Sequence, residues 1–281
     1  MVIASAPHLS GRGWSPRAIA QIQHESVMTQ VNHQRYIDFT SASEVKLQLA
    51  HSREHLEGAF RLVQHSYSRA GLCLENEFDL RITPHQLLDT SQVFVATLDG
   101  QVVNTQTLVC DGELGLPLES VYAREIDERR AAGVKLAEVT CLADRRSSPK
   151  RFFQLFSEMS RVMAQFGLQE GVDEIWIACH PRHAALYERR LGFSRVGGLQ
   201  EYPCVLGNPA IALKLDLQNP AIDGETWRWY FDHPIPAEVL EPCGLSKHDR
   251  EYFEEIAAQA EKRSAKQESP ADADKDMHLV A

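Results

Sequence analysis

The stretch KLAEVTCLADRRSSPKRFF, residues 135–153, decides the fold. Its first half is an apolar run typical of a buried strand, interrupted by one carboxylate, Glu138. Ser148 suits a helix N-cap and Pro149 suits the first helical position, so the pattern predicts a helix over about 149–167. A strand, a loop and a helix in this order indicate one unit of an α/β sheet.

The carboxylate of Glu138 has two interpretations. A buried carboxylate costs free energy unless it has a partner, so Glu138 either serves as a positioned base or fills a structural role. In the structural role it faces solvent or pairs with an arginine on a neighbouring strand. Strict alternation along the strand places Leu136, Glu138, Thr140 and Leu142 on one face, and Ala137, Val139, Cys141 and Ala143 on the other.

The loop after the strand is basic and rich in serine. Helix N-termini bind phosphate through free N–H groups and the helix dipole, so the loop is a candidate phosphate site. An ordinary solvated loop is the alternative. No glycine occurs from 134 to 166, so the glycine-dependent cradle for a pyrophosphate is absent. The residues concerned are Arg145, Arg146, Ser147, Ser148, Lys150 and Arg151.

A second motif, HPRHAALYERRLGF, spans residues 180–193. His180, His183 and Tyr187 follow a predicted strand and are candidates for acid–base or substrate-binding groups, although Tyr187 fits helix packing equally well. Pro181 breaks the regular spacing between the two histidines and no third ligand lies nearby, so no metal site is predicted.

The remaining patterns predict an α/β (α+β) domain with a mixed central sheet and helices on both faces. Residues 1–50 are expected to form an arm, 51–217 the domain, 218–264 a C-terminal extension with a helix, and 265–281 a tail. The predicted elements are helices over 52–70, 84–89, 118–131 and 246–264, a short helix ending at Gly192, a hairpin turning at Asp99–Gly100, and strands over 174–179, 201–206 and 210–217.

Composition narrows the function classes. The net charge is −10 over 281 residues, which argues against a nucleic-acid-binding protein. The six cysteines are scattered, which favours reduced thiols in a cytoplasmic protein over disulfides or zinc. No long apolar span occurs, so neither a transmembrane segment nor export is expected.

Three segments in this order and spacing resemble a known family. They are VFVATLDGQVVNTQTLVCDGELGLPLESVY at 93–122, GVKLAEVTCLADRR at 133–146, and the 180–193 motif. Together they resemble the GNAT acyltransferase fold and, within it, the FeeM-type long-chain N-acyl amino acid synthases, which are relatives of the acyl-homoserine-lactone synthases. The resemblance covers about residues 55–217.

The resemblance implies transfer of an acyl chain from the phosphopantetheine of acyl carrier protein to the α-amine of an amino acid, with no permanently bound cofactor. Glu138 would be the base, and backbone N–H groups near Cys141 and Leu142 would stabilise the oxyanion. Tyr187 would protonate the departing thiolate if it needs a proton. The basic loop described above would hold the pantetheine phosphate and the acidic carrier protein.

The amino acid acceptor is expected to bind partly in the region 67–90. Tyr67, Arg81 and Thr83 are its polar candidates there, because an arginine suits a substrate carboxylate. His180 and His183 are further candidates for substrate binding.

One departure from the relatives concerns the product. The homoserine-lactone synthases often carry an arginine three residues after the glutamate, whereas this chain has Cys141, so the sequence does not support a lactone product. The missing glycine loop fits a carrier-protein donor, which brings one phosphate and no nucleotide. The alternatives are an acetyl-CoA-dependent N-acetyltransferase, which the missing glycine loop disfavours, and a non-catalytic module that senses acyl carriers or lipids, which the presence of Glu138 disfavours.

Overall fold

A computed structural model describes residues 37–40, 43–145, 149–218 and 224–267 of the chain. Within them the strands are β1 Ile37–Thr40, β2 Ser43–Leu49, β3 Ser91–Leu98, β4 Gln101–Cys110, β5 Leu136–Asp144, β6 Glu174–Cys179, β7 Ser194–Arg195, β8 Gln200–Tyr202 and β9 Asn208–Asp216. The helices are α1 Arg53–Arg69, α2 Glu119–Ala131, α3 Pro149–Gln169, α4 Pro181–Arg190, α5 Gly224–Phe231 and α6 Lys247–Gln267. Two 3₁₀ turns span Pro84–Leu87 and Pro203–Val205.

The strands form one mixed sheet in the order β1-β2-β3-β4-β5-β6-β9-β7, and β8 pairs with β9. Neighbouring strands run antiparallel except β5 and β6, which are parallel because α3 crosses over between them. The predicted mixed sheet with helices on both faces is therefore confirmed.

Two apolar cores cover the two faces of the sheet. On one face, here called the α3 face, the buried side chains of the sheet pack against α3, α4 and α5. On the opposite face, here called the α1 face, they pack against α1, α2 and α6. The site described below lies where the sheet opens between these two cores.

The predicted arm ends earlier than expected, because residues 43–49 form β2. This strand pairs antiparallel with β3, Leu47 opposite Ala96, and both leucines of β2 are fully buried. The alternation of the apolar residues Val45, Leu47 and Leu49 is typical of a strand. The domain therefore begins before residue 51, where the sequence prediction placed its start. The strand predicted over 201–206 is also too long, because Pro203 starts a 3₁₀ turn there.

The C-terminal extension covers both faces of the sheet. On the α3 face, Gln165 of α3 donates to the Tyr230 carbonyl at 2.6 Å and accepts from the Ile235 N–H at 2.8 Å. Further along, α6 packs on the α1 face, where the rings of Phe253 and Phe60 meet with centroids 5.1 Å apart. No helix of the described residues is long and apolar enough to span a bilayer.

Candidate active site

The two parallel strands separate in the middle of the sheet. β5 pairs with β6 through Leu136–Glu174, Ala137–Ile175 and Glu138–Trp176. Beyond that point β6 continues along β9 and β5 continues along β4. A gap therefore opens at the carboxyl end of both strands, the place where α/β sheets bind ligands.

A bulge in β5 lies beside the gap. Thr140 pairs with Thr107 and Ala143 pairs with Thr105, so Gln106 of β4 lies opposite both Cys141 and Leu142. Such an extra residue bends the strand and disturbs the ladder. The backbone of Cys141 has a φ of 52°, which is uncommon for a residue other than glycine.

The bulge reverses the faces of the strand, so the expected strict alternation is wrong beyond Thr140. Cys141 and Ala143 join Leu136 in the core of the α1 face, and Leu142 joins the core of the α3 face. One additional residue shifts every later side chain to the opposite face. Cys141 and Leu142, the expected oxyanion donors, are the bulge residues themselves, and their donor role stays a prediction.

Glu138 occupies the last paired position before the gap. Its side chain is 0% exposed, and its Oε2 accepts a 2.8 Å hydrogen bond from the backbone N–H of Leu118, the N-cap of α2. Within the described part of the chain, Oε1 has no hydrogen-bond partner. Burial raises the pKa of Glu138 to about 7, although the hydrogen bond from Leu118 lowers it in part. The solvent-facing and arginine-paired interpretations are therefore wrong.

Arg81 lies on the same face as Glu138. Its Nη2 donates to the Cys204 carbonyl at 2.7 Å, and its guanidinium lies 5.4 Å from the centroid of the Tyr67 ring. Its Nε is buried with no hydrogen-bond partner among the described residues. Burial raises the pKa of the Cys141 thiol, the Arg81 charge lowers it and the Glu138 charge raises it, so both charges act on this one thiol.

Tyr202 of β8 completes this part of the site and was missed in the sequence. It is buried, and burial together with the Glu138 charge raises its pKa well above the usual value. The same segment supplies the Cys204 carbonyl that holds Arg81. No local pattern marks this segment, because its place in the site depends on the pairing of β8 with β9.

Tyr187 lies on the other face from Glu138. It is buried in the core of the α3 face, with edge-to-face contacts to Phe156 at 5.6 Å and Phe193 at 5.5 Å. Burial raises its pKa well above 10. An ordinary thiol has a pKa of about 8.5, so proton transfer from Tyr187 to a departing thiolate is uphill. This geometry favours the packing interpretation of Tyr187.

Three other predicted residues serve the local structure. The N–H and Oγ1 of Thr83 both donate to Gln86 Oε1, at 3.0 and 3.3 Å, which fixes the turn after Arg81. His180 caps α4, its Nδ1 accepting from the Arg182 N–H at 3.2 Å. The Arg182 guanidinium donates to His183 Nε2 at 3.0 Å. Direct substrate contacts by Thr83, His180 and His183 stay predictions.

The basic loop is described only at its first residue. Arg145 is exposed and donates to Gln101 Oε1 at 2.8 Å. Arg146, Ser147 and Ser148 lie outside the described residues, and so do the side chains of Lys150 and Arg151. Their predicted phosphate contacts stay predictions.

A narrow cavity lies on the α3 face beneath the gap. Its lining includes Val139 and Ile177, the residues that directly follow the last β5–β6 pair. The volume open to the centre of a water molecule is about 20 Å³, which is room for about one water. Mostly apolar side chains line it: Gln106, Val139, Phe156, Ser160, Met163, Ile175, Ile177, Tyr187, Phe193, Leu215 and Tyr230.

The sequence and the fold are similar to those of known acyltransferases. A family model described as N-acyl amino acid synthase FeeM matches residues 58–216. The solved structure of FeeM, an N-acyl amino acid synthase from uncultured soil microbes, is 26% identical with a TM-score of 0.55, over 63% of this chain and 93% of that one. The acyl-homoserine-lactone synthase LasI shares the fold at 17% identity and a TM-score of 0.54, over 69% of this chain and 98% of that one. No curated protein sequence matches the chain.

Proposed function

Since this chain belongs to the FeeM family of N-acyl amino acid synthases and is an N-acyltransferase with the GNAT acyltransferase fold, we propose that it moves a fatty acyl group from acyl carrier protein to the α-amine of an amino acid. The observation that carries the proposal is Glu138. It is a buried carboxylate at the residue where β5 and β6 separate, and one of its oxygens is bound while the other has no partner among the described residues.

The pKa of Glu138 suits a general base. An α-ammonium group has a pKa of about 8 and must lose a proton before it attacks a thioester. A carboxylate whose pKa is about 7 accepts that proton near neutral pH, directly or through a water. The amine nitrogen then bonds to the carbonyl carbon, the carbon–sulfur bond breaks, and the pantetheine sulfur leaves as thiolate. The second proton that the nitrogen loses as the amide forms passes to water. Holding amine and thioester together supplies much of the rate.

Charges on the α1 face support an amino acid as acceptor. The charges of Glu138 and Arg81 both act on the Cys141 thiol, so a negative and a positive group lie in the same region of this face. An amino acid offers the complementary pair, an amine for Glu138 and a carboxylate for the Arg81 guanidinium. A simple amine or a protein lysine lacks that carboxylate, so Arg81 would have no role in binding it.

The donor would use the gap and the cavity beneath it. The thioester carbonyl would lie at the bulge, and the acyl chain would pass between β5 and β6 to the α3 face. The cavity is nearly filled by its own side chains, so a long chain must displace some of them. The basic residues of 145–151 and the missing glycine loop support a carrier protein with a single phosphate.

Product analysis tests this proposal. Purified protein is incubated with acyl carrier protein loaded with a fatty acyl group and with a mixture of amino acids, and the products are read by mass spectrometry. N-acyl amino acids are expected, and much less of them from the same acyl group on coenzyme A. Acetylated amines from acetyl-CoA would instead indicate an ordinary acetyltransferase, and an acyl ligand retained without any product would indicate a sensor.

A further inference from the structure

Gln106 is a buried amide that nothing in the proposed reaction uses. Its side chain is 1% exposed and lines the cavity on the α3 face. Its Nε2 has no hydrogen-bond partner among the described residues. An unpaired buried donor is unfavourable, and native proteins rarely keep one without a reason.

The described residues around Gln106 do not supply a partner for its Nε2. Among the polar side chains of the cavity, Ser160 already donates from its Oγ to the Phe156 carbonyl at 2.8 Å. Most other lining residues are apolar, so an acyl chain in this cavity would meet the amide directly. A leucine or methionine would pack against a plain hydrocarbon chain without this cost.

The position of Gln106 determines which part of a bound acyl chain its side chain would contact. It lies on β4 opposite the bulge residues Cys141 and Leu142, while the gap lies on the other side of β5. Neighbouring strands are about 4.8 Å apart, so the carbonyl in the gap is separated from Gln106 by a whole strand. The side chain therefore meets the chain where it has passed beneath β5, a few bonds beyond the carbonyl.

We propose that Gln106 selects acyl groups that carry an oxygen near the carbonyl, 3-hydroxyacyl groups above all. This inference rests on the proposed function, because it assigns the cavity to the acyl chain. A hydroxyl both accepts and donates a hydrogen bond, so it matches the N–H and the carbonyl oxygen of one amide together. An unsubstituted chain leaves the amide unpaired, and sites built around such a group reject the analogue that lacks the hydroxyl.

The test compares two donors of matched chain length, 3-hydroxyacyl and unsubstituted acyl groups on acyl carrier protein. Wild-type protein is expected to prefer the 3-hydroxyacyl donor about tenfold or more in kcat/KM, the size expected for one buried hydrogen bond. Gln106→Leu is expected to abolish or reverse that preference, and Gln106→Met serves as a second apolar variant of similar volume. Ser160→Ala, a change in the same cavity, should leave the preference intact.

Binding measurements separate failure of this inference from failure of the proposed function. Free 3-hydroxy and unsubstituted fatty acids are titrated into the protein by calorimetry. A protein that transfers no acyl group but binds the hydroxy acid about tenfold more tightly keeps the inference and overturns the function. Equal use and equal binding of the two chains overturn the inference, and so does a Gln106→Leu variant that slows both donors equally.

Discussion

Glu138 is held from one side by Leu118: its Oε2 accepts a 2.8 Å hydrogen bond from the Leu118 N–H, and its Oε1 lacks a partner within the described residues. Because Leu118 is the N-cap of α2, the positive end of that helix faces the bound oxygen. The carboxylate is thereby fixed in orientation while one oxygen stays available to a substrate amine.

Glu138→Gln is expected to lower kcat about 100-fold or more, because the amide keeps the shape but cannot accept the proton. In the wild type, kcat/KM for the amino acid should rise as pH passes through about 7, where Glu138 ionises. Steady-state rates across pH check both expectations. Glu113→Gln, an exposed change on the loop before α2, is the matched control. Near-wild-type turnover of Glu138→Gln would remove Glu138 as base.

The same substitution is expected to stabilise the protein at high pH. The pKa of Glu138 rises on folding from 4.5 to about 7, so the folded state binds more protons than the unfolded state in that window. Wild-type stability therefore falls as pH rises from 4.5 to 7, by about 3 kcal/mol, and Glu138→Gln should not show this loss. Urea unfolding at about pH 5 and about pH 8 measures the difference. An equal loss of stability between these pH values in the wild type and in Glu138→Gln would contradict this prediction.

Arg81→Met is expected to raise KM for the amino acid about tenfold or more, because the substrate carboxylate loses a charge-assisted hydrogen bond. The effect on kcat should be smaller, since the carboxylate binds equally in ground and transition states. Arg124→Met is the control, as Arg124 is exposed and pairs only with Glu128 at 3.5 Å among the described ion pairs. An unchanged KM would show that the acceptor carboxylate binds elsewhere.

Tyr187→Phe is expected to keep turnover within about twofold of the wild type, because a thiolate is too weak a base to take a proton from a phenol of raised pKa. The phenylalanine ring preserves the contacts with Phe156 and Phe193. Tyr187→Ala should instead lower stability by about 3–5 kcal/mol through the cavity it leaves. A large loss of rate in Tyr187→Phe, with stability kept, would restore Tyr187 as the acid.

Tyr230→Ala is expected to shift the preferred acyl chain to longer groups, because the lost ring leaves a cavity that the surroundings fill only partly. The Tyr230 ring lines the cavity, and its hydroxyl donates to the carbonyl of Leu191, the C-cap of α4, at 3.2 Å. Rates with acyl carrier proteins of increasing chain length measure the shift. Tyr230→Phe keeps the ring and should keep the wild-type length; an unaltered profile in Tyr230→Ala would place the end of the chain elsewhere.

Local patterns predicted much of the architecture. The helical spacing of 52–70 corresponds to α1, and the apolar run with Glu138 corresponds to β5. These signals are local, because a helix or strand buries one face according to the period of its own residues. The strand β2 could also have been predicted from its own alternation of apolar residues. The place of Tyr202 in the site could not, because it depends on contacts between segments that are distant in the chain.

The sequence by itself determined the order of helices and strands, a single acid inside a buried strand, and a loop without glycine before α3. Only the tertiary structure decided which groups meet. One extra residue at Cys141 reverses the faces of β5 beyond it, which strict alternation cannot express. The approach of Arg81, Tyr202 and Glu138 to one thiol, and the closing of the cavity by Tyr230, depend on strand register and helix packing between residues far apart in the chain. The period of apolar residues predicts which side chains are buried. Which residues then contact one another is decided only when the chain folds.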